Sequence, residues 1–121
     1  MTPEAVQAWL DAYVEAWRSY DASAIADLFA EDATYAYHPC DVPIRGREAI
    51  VAEWLSERDE PDSWHAEYRP FVVADNRAVV VGETRYADGK TYLNVWQLIF
   101  DEDARCCEYI EWYMTPPADQ G

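Results

Sequence analysis

The sequence predicts an α+β domain, in which a cone-shaped, strongly curved antiparallel sheet is covered by N-terminal helices. Helical periodicity is confined to residues 3–55, and four strand-like runs separated by turn residues fill residues 64–115. Because long strands twist and coil, one face of such a sheet becomes concave and has to be covered. The helices that precede the strands are the cover that the chain offers, and they would enclose an apolar pocket.

The first helix is indicated by Thr2, which can cap its start, and by Pro3, which suits the first helical position. Apolar residues then recur at helical spacing and form one stripe: Val6, Trp9, Leu10, Tyr13, Val14 and Trp17. Asp21 can cap a second, shorter helix, whose apolar face is Ile25, Leu28 and Phe29. A third helix is predicted over residues 47–55, after a loop at 38–46 in which two prolines forbid regular structure over most of its length.

A short first strand is predicted at residues 33–37, and long strands at 64–74, 77–87, 90–101 and 105–115. Asp88 and Gly89 mark a tight hairpin, since glycine tolerates the positive φ that such a turn needs. A chain of 121 residues is long enough for one core, so we expect a single domain over residues 1–115 and a flexible tail at 116–121.

Half of the residues are hydrophobic, and the chain holds six tryptophans and nine tyrosines. These rings exceed what a small core needs, so some of them are expected to line a cavity or a partner surface. The formal net charge of −15 predicts that the protein binds neither nucleic acid nor anionic membranes, because both are recognised through lysine and arginine.

Three cysteines, two of them adjacent, form no disulfide framework and are typical of the reducing cytoplasm. The N-terminus lacks the pattern of a signal peptide, and no apolar run reaches transmembrane length. His38, Cys40 and Asp41 are possible metal ligands, but they match no known metal-binding spacing, and glycine-rich phosphate loops are lacking. We therefore expect neither a metal nor a cofactor.

Several strings resemble the nuclear-transport-factor-2-like superfamily, above all its SnoaL-like and ketosteroid-isomerase-like branches. DAYVEAW at residues 11–17, LFAEDAT at 28–34 and GREAI at 46–50 resemble the opening half of this family, and EYIEWY at 108–113 resembles its last strand. The resemblance covers the chain short of the tail and implies a single SnoaL-like domain. It is specific for the fold, whereas the activities that this fold hosts are many.

The ketosteroid isomerases use a tyrosine on the first helix to donate to the developing enolate oxygen, and an aspartate after the first strand as the base. The resemblance places Tyr13 at that tyrosine, and His38 near that aspartate after a one-residue insertion. The protonated second aspartate of those enzymes falls on Trp96 or Gln97. The resemblance therefore implies one matching element, one altered element and one that is absent.

Two residues are candidates for catalysis. Histidine side chains exchange protons near neutral pH, and His38 lies where a strand should end at the mouth of the cone. The alternative is a surface histidine stacked on Pro39. Tyr13 faces inward and can donate to a ligand oxygen, the alternative being a core tyrosine whose hydroxyl bonds a backbone carbonyl.

Seven further residues are candidates for binding a ligand: Trp17, Tyr35, Tyr37, Trp54, Trp96, Trp112 and Glu111. The alternative for the aromatic members is plain core. A carboxylate among aromatic residues, such as Glu111, can have a raised pKa, or it can pair with Arg85 or Arg69 on a neighbouring strand.

Side chains alternate along a strand, so Tyr35 and Tyr37 point to one side of the first strand. In the last strand, Glu111 shares a face with Tyr109, and Trp112 lies on the other face. This alternation does not determine which face of the last strand is the concave one.

Two functions are compatible with these residues. The first is an enzyme without a cofactor, an isomerase, cyclase or hydrolase of a small apolar or carbonyl-bearing molecule, in which His38 moves a proton and Tyr13 stabilises the oxyanion. The alternative is a non-catalytic ligand-binding or dimerisation module of the same fold. In both cases we expect a homodimer through the outer face of the sheet, whose rings need a partner.

Overall fold

The computed structural model describes residues 1–117, so the end of the predicted tail, residues 118–121, lies outside the described residues. The elements follow one another in the order α1 (Pro3–Ser19), α2 (Ala22–Ala26), β1 (Phe29–Ala36), β2 (Ile44–Arg45), α3 (Arg47–Ser56), β3 (Trp64–Ala74), β4 (Arg77–Tyr86), β5 (Thr91–Phe100) and β6 (Cys106–Met114). The predicted α+β class is confirmed.

The two N-terminal helices begin where the sequence predicts. The Thr2 hydroxyl accepts a hydrogen bond from the backbone N–H of Ala5 at 3.1 Å, which satisfies one of the free donors of the first turn. The Asp21 carboxylate does the same for α2, accepting from the N–H groups of Ser23 and Ala24. Polar side chains outside each helix therefore fix its first turn.

Helix α2 ends at Ala26, so the prediction that Leu28 and Phe29 continue its apolar face is wrong. The Leu28 carbonyl accepts hydrogen bonds from the Trp9 indole at 3.0 Å and from the backbone N–H of Cys106 at 2.8 Å. These long-range bonds outweigh the helical spacing, and strand β1 begins four residues earlier than the predicted residue 33.

The six strands form one sheet in the order β2-β1-β6-β5-β4-β3, and β3 to β6 form the predicted antiparallel meander. Strand β1 pairs in parallel with β6, so the sheet is mixed rather than wholly antiparallel, which corrects the prediction. Backbone groups along the edge of β6 need hydrogen-bond partners, and β1 provides them. The helical hairpin that precedes β1 sets the direction in which this strand runs along β6.

Buried side chains fill the space between the helices and one half of the sheet. The Trp9 ring meets Phe29 and Phe100 edge-on, with ring centroids 6.2 Å and 5.5 Å away. Ile25 and Leu98 are also buried in this core. Such close contact leaves no room for a ligand here, so any site lies toward the other half of the sheet. In residues 1–117, no helix has the length and apolarity that crossing a membrane requires.

Candidate functional site

The concave side of the sheet holds a cavity of about 570 Å³, which opens to solvent beside the exposed residues Glu57, Asp88 and Lys90. All nine tyrosines of the chain and three of its six tryptophans line this cavity, whereas its three phenylalanines do not. A tyrosine wall combines apolar ring faces with hydroxyl groups that seek hydrogen-bond partners. The volume lies in the range of small-molecule sites.

Eight of the nine residues that the sequence singles out lie on the cavity wall: Tyr13, Trp17, Tyr35, Tyr37, His38, Trp54, Trp96 and Glu111. They come from α1, β1 and the loop after it, α3, β5 and β6. The fold therefore brings together residues that are far apart in the sequence.

Trp112 is the exception, and its assignment to the pocket is wrong. It lies on the outer face of the sheet, 49% exposed, where its Nε1 donates to Oε1 of Gln97 at 2.7 Å. Successive side chains of a strand point to opposite faces, so Glu111 and Trp112 cannot both reach the cavity. Glu111 faces inward, and Trp112 consequently faces outward.

Three buried tyrosines, Tyr13, Tyr35 and Tyr109, bring their hydroxyl groups together, and we call them the tyrosine cluster. The hydroxyl oxygens of Tyr13 and Tyr35 are 2.7 Å apart, and the Tyr13 hydroxyl donates to that of Tyr109 at 3.4 Å. The alternative of a backbone carbonyl partner for Tyr13 is therefore wrong. Each hydroxyl group has one proton to donate, so the cluster has three, and its two internal hydrogen bonds use two of them.

Burial keeps these hydroxyl groups protonated. It raises the pKa of Tyr13, Tyr35 and Tyr109 well above the ordinary value for tyrosine. Burial and the nearby Glu53 carboxylate also raise the pKa of Tyr37, to about 12. At neutral pH these tyrosine hydroxyl groups are therefore neutral donors, and one proton of the tyrosine cluster has no acceptor within the cluster.

Glu111 places a carboxyl group in the cavity wall. Its Oε2 accepts a hydrogen bond from Asn94 Nδ2 at 2.5 Å and another from Trp96 Nε1 at 3.0 Å. In residues 1–117, Oε1 has no hydrogen-bond partner. Burial raises the pKa of this carboxyl, while the two hydrogen bonds and the charge of His38 oppose the rise.

The expected pairing of Glu111 with Arg85 or Arg69 is wrong. Arg85 donates to Glu83 at 2.8 Å, and both arginines are exposed on the outer face of the sheet. An arginine on the opposite face of a neighbouring strand cannot reach a side chain that points into the cavity. Neither arginine therefore neutralises the Glu111 carboxyl group, whose pKa stays raised.

His38 lies at the mouth of the cavity, with its side chain 44% exposed. Its Nδ1 is 2.8 Å from Oδ2 of Asp41, and its Nε2 is 3.1 Å from the hydroxyl of Tyr113. The ring also contacts Tyr113, with centroids 5.0 Å apart. Both nitrogens are engaged, so a ligand would have to displace Asp41 or Tyr113 to exchange a proton with His38.

The wall carries more negative than positive side chains. Its acidic residues are Glu57, Asp59, Asp88 and Glu111, and its one lysine is Lys90. Asp59 also accepts from the Trp17 indole at 2.9 Å, which fixes it on the wall. Among residues 1–117, no three His, Cys, Asp or Glu side chains are grouped as metal ligands would be. The charge of the wall disfavours anionic ligands.

Sequence reasoning missed Tyr68 and Thr84, which line the cavity with their hydroxyl groups 2.6 Å apart. Tyr68 lies opposite Gly82 in the pairing of β3 with β4. A glycine within a strand often marks a close approach of another group, and this is the signal that could have pointed to Tyr68.

The helices and the mixed sheet, with a lined cavity on its concave side, form the fold of solved NTF2-like proteins. The SnoaL-like domain family matches residues 10–108, and the chain belongs to this family. None of the curated proteins matches the sequence.

Three solved structures show the similarity of the fold. An NTF-2 like protein of unknown function from Burkholderia xenovorans is 19% identical, with a TM-score of 0.75 over 98% of this chain and 89% of that one. An NTF2-like protein of unknown function from Mesorhizobium loti is 20% identical, with a TM-score of 0.71 over 93% of each chain. A protein from Kribbella flavida, described as a "putative ketosteroid isomerase", is 18% identical, with a TM-score of 0.71 over 98% of this chain and 83% of that one.

Proposed function

We propose that the cavity binds a small, uncharged, carbonyl-bearing molecule and that Glu111 moves a proton on it without a cofactor. The observation that carries this proposal is the Glu111 carboxyl, which has one oxygen held by Asn94 and Trp96 and the other without a partner in residues 1–117. A buried carboxyl with a raised pKa suits acid-base chemistry near neutral pH.

The proposed chemistry is proton transfer next to a carbonyl group. The Glu111 carboxylate removes a proton from the carbon beside the carbonyl, and the electron pair moves onto the carbonyl oxygen. The tyrosine cluster donates its remaining proton in a hydrogen bond to that oxygen and stabilises its charge. In a substrate with a carbon–carbon double bond next to that carbon, the electron pair returns from the oxygen, the double bond shifts and its far carbon takes the proton back from Glu111, which completes an isomerisation. The same groups can serve a cyclase or a hydrolase.

In this proposal Tyr13 donates to Tyr109, so the hydrogen bond to the oxyanion passes from Tyr13 to its partner Tyr109, and the proton-transfer role passes from His38 to Glu111. His38 is engaged by Asp41 and Tyr113 at the mouth, where it can contact a ligand or adjust the charge near Glu111. The description of the Kribbella flavida protein names an activity of the same class.

The test measures deuterium uptake next to the carbonyl of a panel of neutral cyclic ketones in D2O, followed by NMR. Replacing Glu111 by Gln keeps the shape of the side chain and removes the base, so exchange should fall by about 10²–10⁴-fold. Glu108→Gln is the matched control, because Glu108 lies on the same strand outside the cavity wall and should leave exchange unchanged. Exchange at the wild-type rate in the Glu111 variant would rule out its role.

The alternative is a ligand-binding module without catalysis, and the engaged nitrogens of His38 favour it. Native mass spectrometry of the purified protein separates the two functions. A retained small molecule that is bound and never converted, with no ketone of the panel exchanged, supports the module.

We further propose that the outer face of the sheet pairs two copies of the chain. Its exposed apolar residues lie next to each other on β5 and β6, where Leu93 is opposite Met114 and Val95 is opposite Trp112. These four side chains are between 39% and 65% exposed. Contiguous apolar surface of this kind is typical of an interface.

A further inference from the structure

We infer that Tyr68, Thr84 and Asn94 form a hydrogen-bond chain of fixed direction, which leaves Oε1 of Glu111 as the oxygen that carries and exchanges a proton. The inference rests on the proposed function only in using Glu111 as the acid-base group. The direction of the chain follows from the contacts among the four side chains.

The direction is set at the Glu111 end of the chain. Trp96 Nε1 can only donate, and it points at Oε2 of Glu111 from 3.0 Å. Asn94 Nδ2 points at the same oxygen, so the amide oxygen Oδ1 is left to face Thr84. Two N–H donors on one carboxyl oxygen leave no place for a proton there. A proton on Glu111 therefore sits on Oε1.

The remaining two bonds follow from the single proton of each hydroxyl group. Thr84 gives its proton to Oδ1 of Asn94 at 2.9 Å, because an amide oxygen can only accept. The Tyr68 hydroxyl lies 2.6 Å from Oγ1 of Thr84, and it has to be the donor of this second bond. The chain thus runs from Tyr68 through Thr84 and Asn94 to Glu111 in one direction.

Burial explains why this chain is kept in order. Thr84 and Asn94 are the buried polar side chains of residues 1–117, with 3% and 7% of their surface exposed. A buried polar group that loses its partner costs free energy, so each of these side chains holds the next in place. Thr84 and Tyr68 are accordingly positioning residues that act on Glu111 through Asn94.

The Tyr68 ring reaches Thr84 because β4 has no side chain at Gly82. A Cβ atom at Gly82 would lie 2.3 Å from Cδ1 of Tyr68 and 2.4 Å from the carbonyl oxygen of Glu67. The ring occupies the space that any other residue would fill. The glycine is therefore part of the arrangement that directs the Tyr68 hydroxyl toward Thr84.

The titration of Glu111 can be disturbed by ionisable groups that act on it electrostatically. They are tyrosines of β1, β3, β4 and β6, the tyrosine after β1, and one histidine: Tyr35, Tyr68, Tyr86, Tyr109, Tyr37 and His38. These tyrosines have raised pKa values and stay neutral wherever a carboxyl group titrates. The charge of His38 lowers the pKa of Glu111, so each titration is repeated in a His38→Gln background.

The test follows the side-chain carboxyl carbon of Glu111 by ¹³C NMR as the pH is raised. Thr84→Val keeps the shape of the side chain and removes its hydroxyl, so Asn94 is no longer held with Nδ2 toward Glu111. Losing a donor to the charged form should move the midpoint upward by about one pH unit. Thr84→Ser keeps the hydroxyl and should titrate like the wild type. An unmoved midpoint in Thr84→Val, or an equal shift in Thr84→Ser, overturns the inference.

Tyr68→Phe provides a second variant that removes one oxygen from the far end of the chain. Thr84 still donates to Asn94 in this variant, so the midpoint should move in the same direction and by less than in Thr84→Val. A larger shift in Tyr68→Phe, or a downward one, contradicts the direction of the chain. The measurement uses no substrate, so the shifts can be present even when Glu111→Gln leaves ketone exchange unchanged, an outcome that defeats the proposed function alone.

Discussion

The carboxyl group of Glu111 links the chemistry of single residues to the stability of the fold. Burial among tyrosine and tryptophan rings is the largest cause of its raised pKa, and the hydrogen bonds from Trp96 and Asn94 oppose it. The folded protein therefore binds this proton more tightly than the unfolded chain does. The resulting stability is fully present below the ordinary pKa of 4.5 and is lost as the pH rises through the folded value.

Glu111→Gln is expected to make the protein more stable than the wild type at pH 7, with a smaller difference at pH 4. Glutamine keeps the acceptor for Asn94 and Trp96 and carries no charge, so it resembles the protonated carboxyl at every pH. Urea unfolding followed by tryptophan fluorescence measures the free energy of unfolding across this range. Glu15→Gln, an exposed change on α1, is the control and should show no such dependence. A constant difference between Glu111→Gln and wild type would contradict the linkage.

Strands β3 and β4 approach each other closely at Gly82. Tyr68 is paired with Gly82 across these strands, and Gly82 is paired with Asn94 on the next strand. The three positions form a row across the sheet, in which the missing side chain makes room for a ring. In this row the Tyr68 ring lies over Gly82, and its hydroxyl reaches Thr84 in the wall of the cavity.

Gly82→Ala should destabilise the protein by about 1–3 kcal/mol, the usual cost of forcing a methyl group into occupied space. The new Cβ would meet a ring atom of Tyr68 at 2.3 Å and the backbone oxygen of Glu67 at 2.4 Å, and the backbone oxygen cannot rotate away. Urea unfolding measures the loss. Glu83→Ala, one residue further on the outer face, should stay within about 0.5 kcal/mol of the wild type. Equal stability of Gly82→Ala and the wild type would refute the close approach.

The main helices and the four long strands could be predicted because each carries its own pattern and turn residues. The pairing of β1 with β6 could not be predicted, because alternation records which face a side chain takes and not which strand lies beside it. For the same reason the sequence grouped Glu111 with Tyr109 but left the concave face open. The prediction that Trp112 lines the pocket is wrong for this reason. The concave face is determined by the contacts between the helices and the sheet, which alternation along a strand does not reveal.

At the scale of the whole molecule, the described residues 1–117 form one sheet with two unlike faces. The concave face holds the core and the cavity, while the outer face exposes apolar side chains around Trp112. The formal net charge of −15 means that two copies repel each other at a distance. The proposed association through the outer face would therefore depend on apolar contact at short range, and salt should strengthen it by screening the repulsion.

Wild-type protein is expected to be a dimer at micromolar concentration, and Trp112→Glu is expected to make it a monomer. The substitution removes an exposed ring from the outer face and adds a charge that two copies would bring together. Sedimentation equilibrium gives the dissociation constant, which should fall as the ionic strength rises from about 0.1 M to 1 M and the Debye length shortens from about 10 Å to 3 Å. Val42→Glu is the control, since Val42 is 90% exposed in the loop between β1 and β2 and should leave the dimer intact. A monomeric wild type, or a Trp112→Glu variant that dimerises as tightly, would show that the outer face has another role.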